Sequence, residues 1–200
     1  KLGYASKYAD AIVTPSAATK KDLKEYYALD ENKIHVIPLS LPPKIASSKK
    51  EERAPYILCV SSFNTRKNIA KLIKAYLSLD TDTSLILAGA KGDTYKYIKS
   101  ITANKDQIEL RTDLSKQALA NLYAGALFCV YPSVYEGFGI PILEAFQYGK
   151  TCATSATSSM PEVGGNAAKY FNPNEDKSIA EAIKALLNKN VREKFEQEIP

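Results

Sequence analysis

"YILCVSSFNTRKNIAKLIKAYLSLDTDTSLILA", residues 56–88, contains two unbroken apolar runs, YILCV and SLILA, with a stretch of different period between them. Short apolar runs bounded by polar residues are the pattern of strands buried on both faces. Between them Ile69, Leu72, Ile73, Tyr76 and Leu77 recur at the spacing of one helical face, and Asn68 stands where an N-cap belongs. Strand, helix and strand in that order form the unit of a parallel sheet, because parallel neighbours need a crossover that a hairpin turn cannot supply.

The same alternation continues toward the carboxyl end. QIEL (107–110), LFCVY (127–131) and TCAT (151–154) read as further strands. Helices are expected at 94–102, at 115–126 behind a Ser115 cap, at 141–148 with Pro141 in the first helical position, and at 177–188. The expected fold is therefore α/β, a Rossmann-like parallel sheet with helices on both faces. Upstream, DAIVT, ATKKDLKEYYAL and KIHVIP read as strand, helix and strand. LSLPPKIASSKKEERAP (39–55) then reads as a Pro- and Lys-rich linker, which places a boundary near residue 40.

Composition narrows the function. A chain of 200 residues that is 45% hydrophobic can bury a real core. The 27 Lys+Arg against 22 Asp+Glu give +5, but the cations are scattered, with no basic stripe carrying interleaved aromatics, so nucleic acid is not expected as a partner. Cys59, Cys129 and Cys152 each lie in or beside an apolar run, as buried free thiols do, and their spacing matches no zinc pattern. With His35 the only histidine, no metal site is expected, and unpaired thiols fit the cytoplasm. No apolar stretch approaches the ~20 residues a membrane-spanning helix needs, and the start of the chain does not resemble a signal peptide.

In a parallel α/β sheet the ligand crevice lies at the carboxyl ends of the strands. The segments delivered there are SSFNTRKN after residue 60, GAKGD after 88, and PSVYEGFG after 131, all rich in glycine, hydroxyls or charge. Two better-known phosphate signatures fail. Gly137 and Gly139 are followed by Ile142 where a dinucleotide fingerprint needs its third glycine, and YGKT (148–151) has Glu144 where a P-loop needs its first. What remains is VYEGFGIPILEAFQYGK (134–150), with Glu136 in a Gly-Phe-Gly loop and Glu144 in the first turn of the following helix. The glycines allow backbone amides to approach a ligand, and the helix directs its positive end at the same crevice. A diphosphate fits that end, and hydroxyls on either side of it could donate to the two carboxylates. The plain alternative is a surface loop followed by a helix start.

Over most of its length the chain resembles the group 1 (family 4) retaining glycosyltransferases of the GT-B fold, in their nucleotide-sugar-binding C-terminal half. The resemblance is carried by ADAIVTPSAATKKDL, KIHVIP, VSSFNTRKNIAKLIKAY, LILAGAKG, LANLYAGALFCVYPSVYEGFGIPILEAFQYGK and TSSMPEVGGNAAKYFNP, in that order, with the Glu-x7-Glu stretch the most specific. It implies that Lys67 and Arg66 bind the donor diphosphate and support the leaving group, with Ser62 beside them and no metal required. It implies that Glu136 faces the transferred sugar, that Gly137, Phe138 and Gly139 cradle sugar and phosphate, and that Glu144 holds the ribose. Ser133 and Glu162 also match family positions, where shaping the loop and helix is the expected role.

The chain departs from the family pattern at Ser61 and Ser62, where a glycine usually comes first, and at Leu39 and Ser40 in the hinge. By the resemblance, residues 1–40 are the tail and hinge of an acceptor-side domain, and residues 41–200 are the donor-binding domain, expected to stop short of the family's last helix. The implied activity is transfer of a sugar from a UDP- or GDP-linked donor, with retention, to a glycan or lipid-linked acceptor in surface polysaccharide (O-antigen or capsule) synthesis. The acceptor would be met through an N-terminal domain, with the whole protein cytoplasmic or at the inner face of the membrane, and this fragment alone inactive. A front-face course is expected, with double displacement through Glu136 left open. So are a non-catalytic nucleotide-sugar-binding module and a GT-B epimerase or phosphorylase.

Overall fold

The computed structural model describes residues 8–47 and 54–200. Residues 1–7, and the stretch 48–53 of the expected linker, lie outside the described residues. In chain order the elements are β1 (Ile12–Thr14), α1 (Ala17–Tyr27), β2 (Ile34–Val36), β3 (Tyr56–Val60), α2 (Ile69–Leu77), β4 (Ser84–Ala88), α3 (Tyr95–Thr102), β5 (Ile108–Arg111), α4 (Lys116–Gly125) and β6 (Cys129–Tyr131). They are followed by α5 (Ile140–Gln147), β7 (Cys152–Ser155), α6 (Met160–Gly164), β8 (Ala168–Phe171), α7 (Asp176–Leu187) and α8 (Lys189–Gln197).

Strands β1 and β2 pair in parallel as a small sheet of their own, bridged by α1. Residues 37–47 then carry no regular element. The large sheet has the order β5-β4-β3-β6-β7-β8, with every pairing parallel. Alternate residues of β3 feed opposite faces of this sheet. Ile57 and Cys59 pack with α2, α3 and α7 through Leu72, Ile98 and Ile183, whereas Tyr56 and Leu58 pack with α4, α5 and α6 through Leu122, Ile142 and Met160. Helices therefore cover both faces, as the doubly apolar strands require. Helix α2 buries Ile69, Leu72, Ile73, Ala75 and Tyr76, the stripe its sequence presents. Truncating Leu72, which has no exposed surface, should cost about 2–5 kcal/mol.

Chain direction across the sheet reverses between β3 and β6: from β3 the connections run outward through β4 to β5, then return to β6 and proceed the other way. The loops after β3 and β6 thus diverge around a crevice at the switch point. Several local expectations need correction. Asn68 occupies the N-cap position but makes no side-chain cap. It takes a left-handed conformation (φ 58°) between a 3-10 turn, Thr65–Lys67, and α2. Its amide instead donates to the carbonyls of Pro132 (3.2 Å) and Pro173 (2.8 Å), tying the loops after β6 and β8 to this corner. Helix α5 starts at Ile140, so Pro141 is its second residue and Glu144 lies in the second turn. Strand β8 and helices α6 and α8 are additions to the elements that periodicity predicts.

Candidate functional site

Lys67 is brought to the crevice by the 3-10 turn after β3. That turn is pinned by Asp93, whose carboxylate accepts from the Thr65 backbone amide (3.0 Å) and hydroxyl (2.8 Å). At the end of β3, Ser61 lies so close to Gly89 (φ 152°) that a Cβ on Gly89 would sit 2.0 Å from the Ser61 carbonyl oxygen. Only glycine permits this approach of the two strand ends. On the other side, the loop after β6 carries Glu136. Its backbone is held by serines that precede α6: Ser158 donates to the Glu136 carbonyl, and Ser159 is within donating distance of the carbonyls of Glu136 (2.9 Å) and Phe138 (2.6 Å). Gly139 ends this loop with φ 119° and serves as the N-cap of α5, which has no side-chain cap.

Between these walls lies a cleft of about 430 Å³, lined by Val60, Ser61, Ser62, Lys67, Gly89, Ala90, Tyr131, Glu136, Phe138, Gly139, Ile140, Pro141 and Glu144. Of the residues picked from sequence, Ser62, Lys67, Glu136, Phe138, Gly139 and Glu144 line it directly. Arg66 does not line the cleft but reaches its edge through Glu136. Gly137 faces away from it, toward α1.

The charges in the cleft are already paired. Lys67 Nζ and Arg66 Nη1 both fall on Oε1 of Glu136, each at 2.6 Å, and Lys67 also donates to the Tyr131 hydroxyl at 2.8 Å. Burial would raise the Glu136 carboxyl, but hydrogen bonds from Arg66 and Lys67, with Ser133 close by, outweigh it and hold the pKa below the ordinary value. The Ser133 hydroxyl itself is buried and meets no partner at hydrogen-bonding geometry. Glu136 in turn raises the pKa of Arg66, while burial and the Glu136 charge push the Tyr131 hydroxyl well up, so it remains a neutral donor or acceptor. The two cations assigned to a ligand from sequence are thus shared by one neighbouring carboxylate, which offsets one of their two charges. On the helix side, Glu144 accepts from the Tyr123 hydroxyl at 2.6 Å, and burial keeps that phenol protonated.

Tyr123, Tyr131, Ser158 and Ser159 escape sequence reasoning. Tyr131 ends a strand, Tyr123 belongs to an apolar helical stripe, and the serines stand in a loop without periodicity, so only their proximity in three dimensions marks them. The three cysteines are buried and free. Burial lifts Cys59 to about 12 and pushes Cys129 and Cys152 well up as well, which leaves unreactive thiols. Among the described residues no group of three or more His, Cys, Asp or Glu is placed to hold a metal ion, and no helix is long and apolar enough to cross a membrane.

The sequence and the fold have counterparts among known proteins. The O-antigen chain mannosyltransferase RfbU of Salmonella typhimurium is 32% identical over 178 residues, which cover 88% of this chain and 50% of the relative. The O-antigen chain mannosyltransferase B of Escherichia coli is 36% identical over 146 residues, covering 69% of this chain and 38% of the relative. The chain therefore spans half or less of the length of these relatives. Anabaena HepE, solved in complex with UDP and glucose, superposes with a TM-score of 0.81 at 16% identity over 98% of this chain and 60% of HepE, a likeness of fold. The family model "Glycosyl transferases group 1" matches residues 42–199, from ahead of β3 to just past α8, so the chain belongs to the group 1 glycosyl transferases.

Proposed function

We propose that this chain is the donor-binding part of a retaining glycosyltransferase that takes a sugar, mannose by analogy with the relatives named as mannosyltransferases, from a UDP- or GDP-linked donor for polysaccharide synthesis of the O-antigen kind. The observation that carries this reading is the convergence of Lys67, Glu136, Gly139 and Glu144 on one cleft at the switch point of the sheet. In this reading residues 41–200 form the donor domain and residues 1–40 belong to the acceptor side.

The diphosphate lies between Lys67 and Arg66 and the start of α5, where cations and helix amides offer positive potential without a metal. To reach Lys67 it must displace the Glu136 carboxylate. The released carboxylate then accepts from hydroxyls of the transferred sugar, so the charge exchange commits Glu136 to the sugar only when a diphosphate is present. Glu144, held by Tyr123, receives the ribose hydroxyls. As the glycosidic C–O bond breaks, the nucleoside diphosphate leaves with the bonding electron pair, and its growing charge falls on Lys67 and Arg66. The acceptor oxygen attacks from the same face, and its proton passes to the departing phosphate oxygen.

The reading is tested by titrating the 200-residue chain calorimetrically with UDP, GDP, GDP-mannose and UDP-glucose, with and without chelator. Saturable binding of at least one of them that survives chelation is expected. No binding, or binding only with added divalent metal, would overturn the proposal. The free, buried thiols support a cytoplasmic placement.

A further inference from the structure

The loop that carries Glu136 is fastened from a second side, by residues more than a hundred positions upstream. The carbonyl of Gly137 accepts from the hydroxyls of Ser16 (2.7 Å) and Thr19 (3.1 Å), and the Tyr135 hydroxyl donates to Asp22. The neighbours of Glu136 on both sides are therefore held by the first turns of α1. Helix α1 is in turn held by Glu162 from α6, whose two carboxylate oxygens take separate backbone amides, Oε2 from Ala17 (2.7 Å) and Oε1 from Ala18 (2.8 Å). These are first-turn amides without helical partners, and an anion is favoured there by the helix dipole as well. Ser16, almost fully buried, also caps the helix by accepting from the Thr19 amide at 3.0 Å.

We propose that Glu162 is a positioning residue: by chelating the start of α1 it seats that helix on the Glu136 loop, so that placement of the sugar-facing carboxylate depends on the docking of residues 16–22. The proposal rests on the nucleotide-sugar reading of the cleft. The clamp touches only one end of that cleft. Glu144 is held by Tyr123 on the opposite side. Loosening the clamp should therefore affect the sugar end of a donor and spare the nucleoside end. It also makes α1, which the sequence reading assigns to the acceptor side, a direct support of the donor loop.

Two measurements decide it, using Glu162→Ala, Glu162→Gln and, as a variant that leaves the helix cap in place, Thr19→Val. The first is amide hydrogen exchange on the ligand-free chain. In the parent the Glu136 amide donates to Ser158 Oγ (3.2 Å), which makes it a reporter of loop order. Glu162→Ala should speed exchange at Ala17 and Ala18 and also, by about tenfold or more, at Glu136. Glu162→Gln, which keeps one acceptor, should fall between, and Thr19→Val should speed Glu136 with Ala17 and Ala18 little changed. The second is the ratio of nucleotide-sugar to nucleoside-diphosphate affinity, which should drop by about fivefold or more in Glu162→Ala and Thr19→Val. Faster exchange confined to Ala17–Thr19, or an unchanged affinity ratio, would mean that Glu162 is only a helix cap. If the parent binds no nucleotide, the functional reading fails while the exchange experiment, which contains no ligand, still decides the clamp.

Discussion

Replacing Glu136 by glutamine should strengthen the binding of a free nucleoside diphosphate. In the ligand-free protein the carboxylate occupies the cation site, with Lys67 and Arg66 both 2.6 Å from its Oε1. A diphosphate must break these contacts before it can make its own. When the ligand has no sugar, the displaced carboxylate gains nothing in return. Arg66 is 47% exposed and its share is screened by solvent, so the cost is set mainly by Lys67, at 12%. One hydrogen-bonded charge pair in that setting is worth about 1.5–3 kcal/mol. The glutamine variant, which removes the competing charge but keeps the shape, should then bind UDP or GDP about ten- to hundredfold more tightly. For a nucleotide sugar, the same gain is offset by loss of a charged acceptor for the sugar hydroxyls, so preference for donor over free diphosphate should fall. Calorimetry of both ligands at low and at raised salt measures each effect. Unchanged or weaker diphosphate binding in a folded variant would refute the view that Glu136 competes for the phosphate site. The sequence assigns Glu136 to the sugar; its ion pair with Lys67 and Arg66 is what adds an expected effect on the diphosphate.

Glu144→Ala should weaken free diphosphate and nucleotide sugar alike, by roughly 1.5–3 kcal/mol, because the ribose is common to both; equal affinities by calorimetry would remove Glu144 from the site. Tyr123→Phe, which takes away the 2.6 Å donor to Glu144, should lower both affinities in the same proportion by a smaller amount. Gly89→Ala should destabilise the fold by about 1–3 kcal/mol in urea unfolding, since its Cβ would meet the Ser61 carbonyl and force the ends of β3 and β4 apart. The Glu136 carboxyl has its folded pKa below the ordinary 4.5, so its charged form stabilises the fold fully above that pH and loses this contribution as pH falls through the depressed value. The difference in melting temperature between the parent and Glu136→Gln should accordingly shrink toward zero on acidification, and a difference that stays constant would deny the linkage.

The parts of the fold legible in the sequence are those whose side chains face one environment. YILCV and SLILA are central strands buried on both sides, and α2 has one clean apolar stripe. Strand β8 is an edge strand whose Lys169 and Tyr170 are only half-buried, which breaks the apolar run, and α8 has no fully buried residue to generate a period. The site divides the same way. Ser62, Lys67, Phe138, Gly139 and Glu144 can be found because the carboxyl ends of parallel strands are where a ligand must lie, and the loops there are short. Which carboxylate meets which cation is not legible: Lys67 and Glu136 are 69 positions apart, and nothing local in either segment records the other.

The two glutamates of the Glu-x7-Glu stretch also differ in a way their spacing conceals. Glu144 stands in the second turn of α5, so its direction is fixed by the helix and by Tyr123, and moving it would require unwinding a turn. Glu136 stands on a loop whose order depends on hydroxyls from Ser16, Thr19, Ser158 and Ser159, each contact a single hydrogen bond of about 1 kcal/mol net. The proposed change of partner from Lys67 to a sugar would draw on a loop held by contacts of this size, not on a helix. On the proposed function, the carboxylate that exchanges a cation for a ligand would sit on the loop and the one that holds the ribose on the helix. That asymmetry explains why the two sit on different supports while facing one cleft.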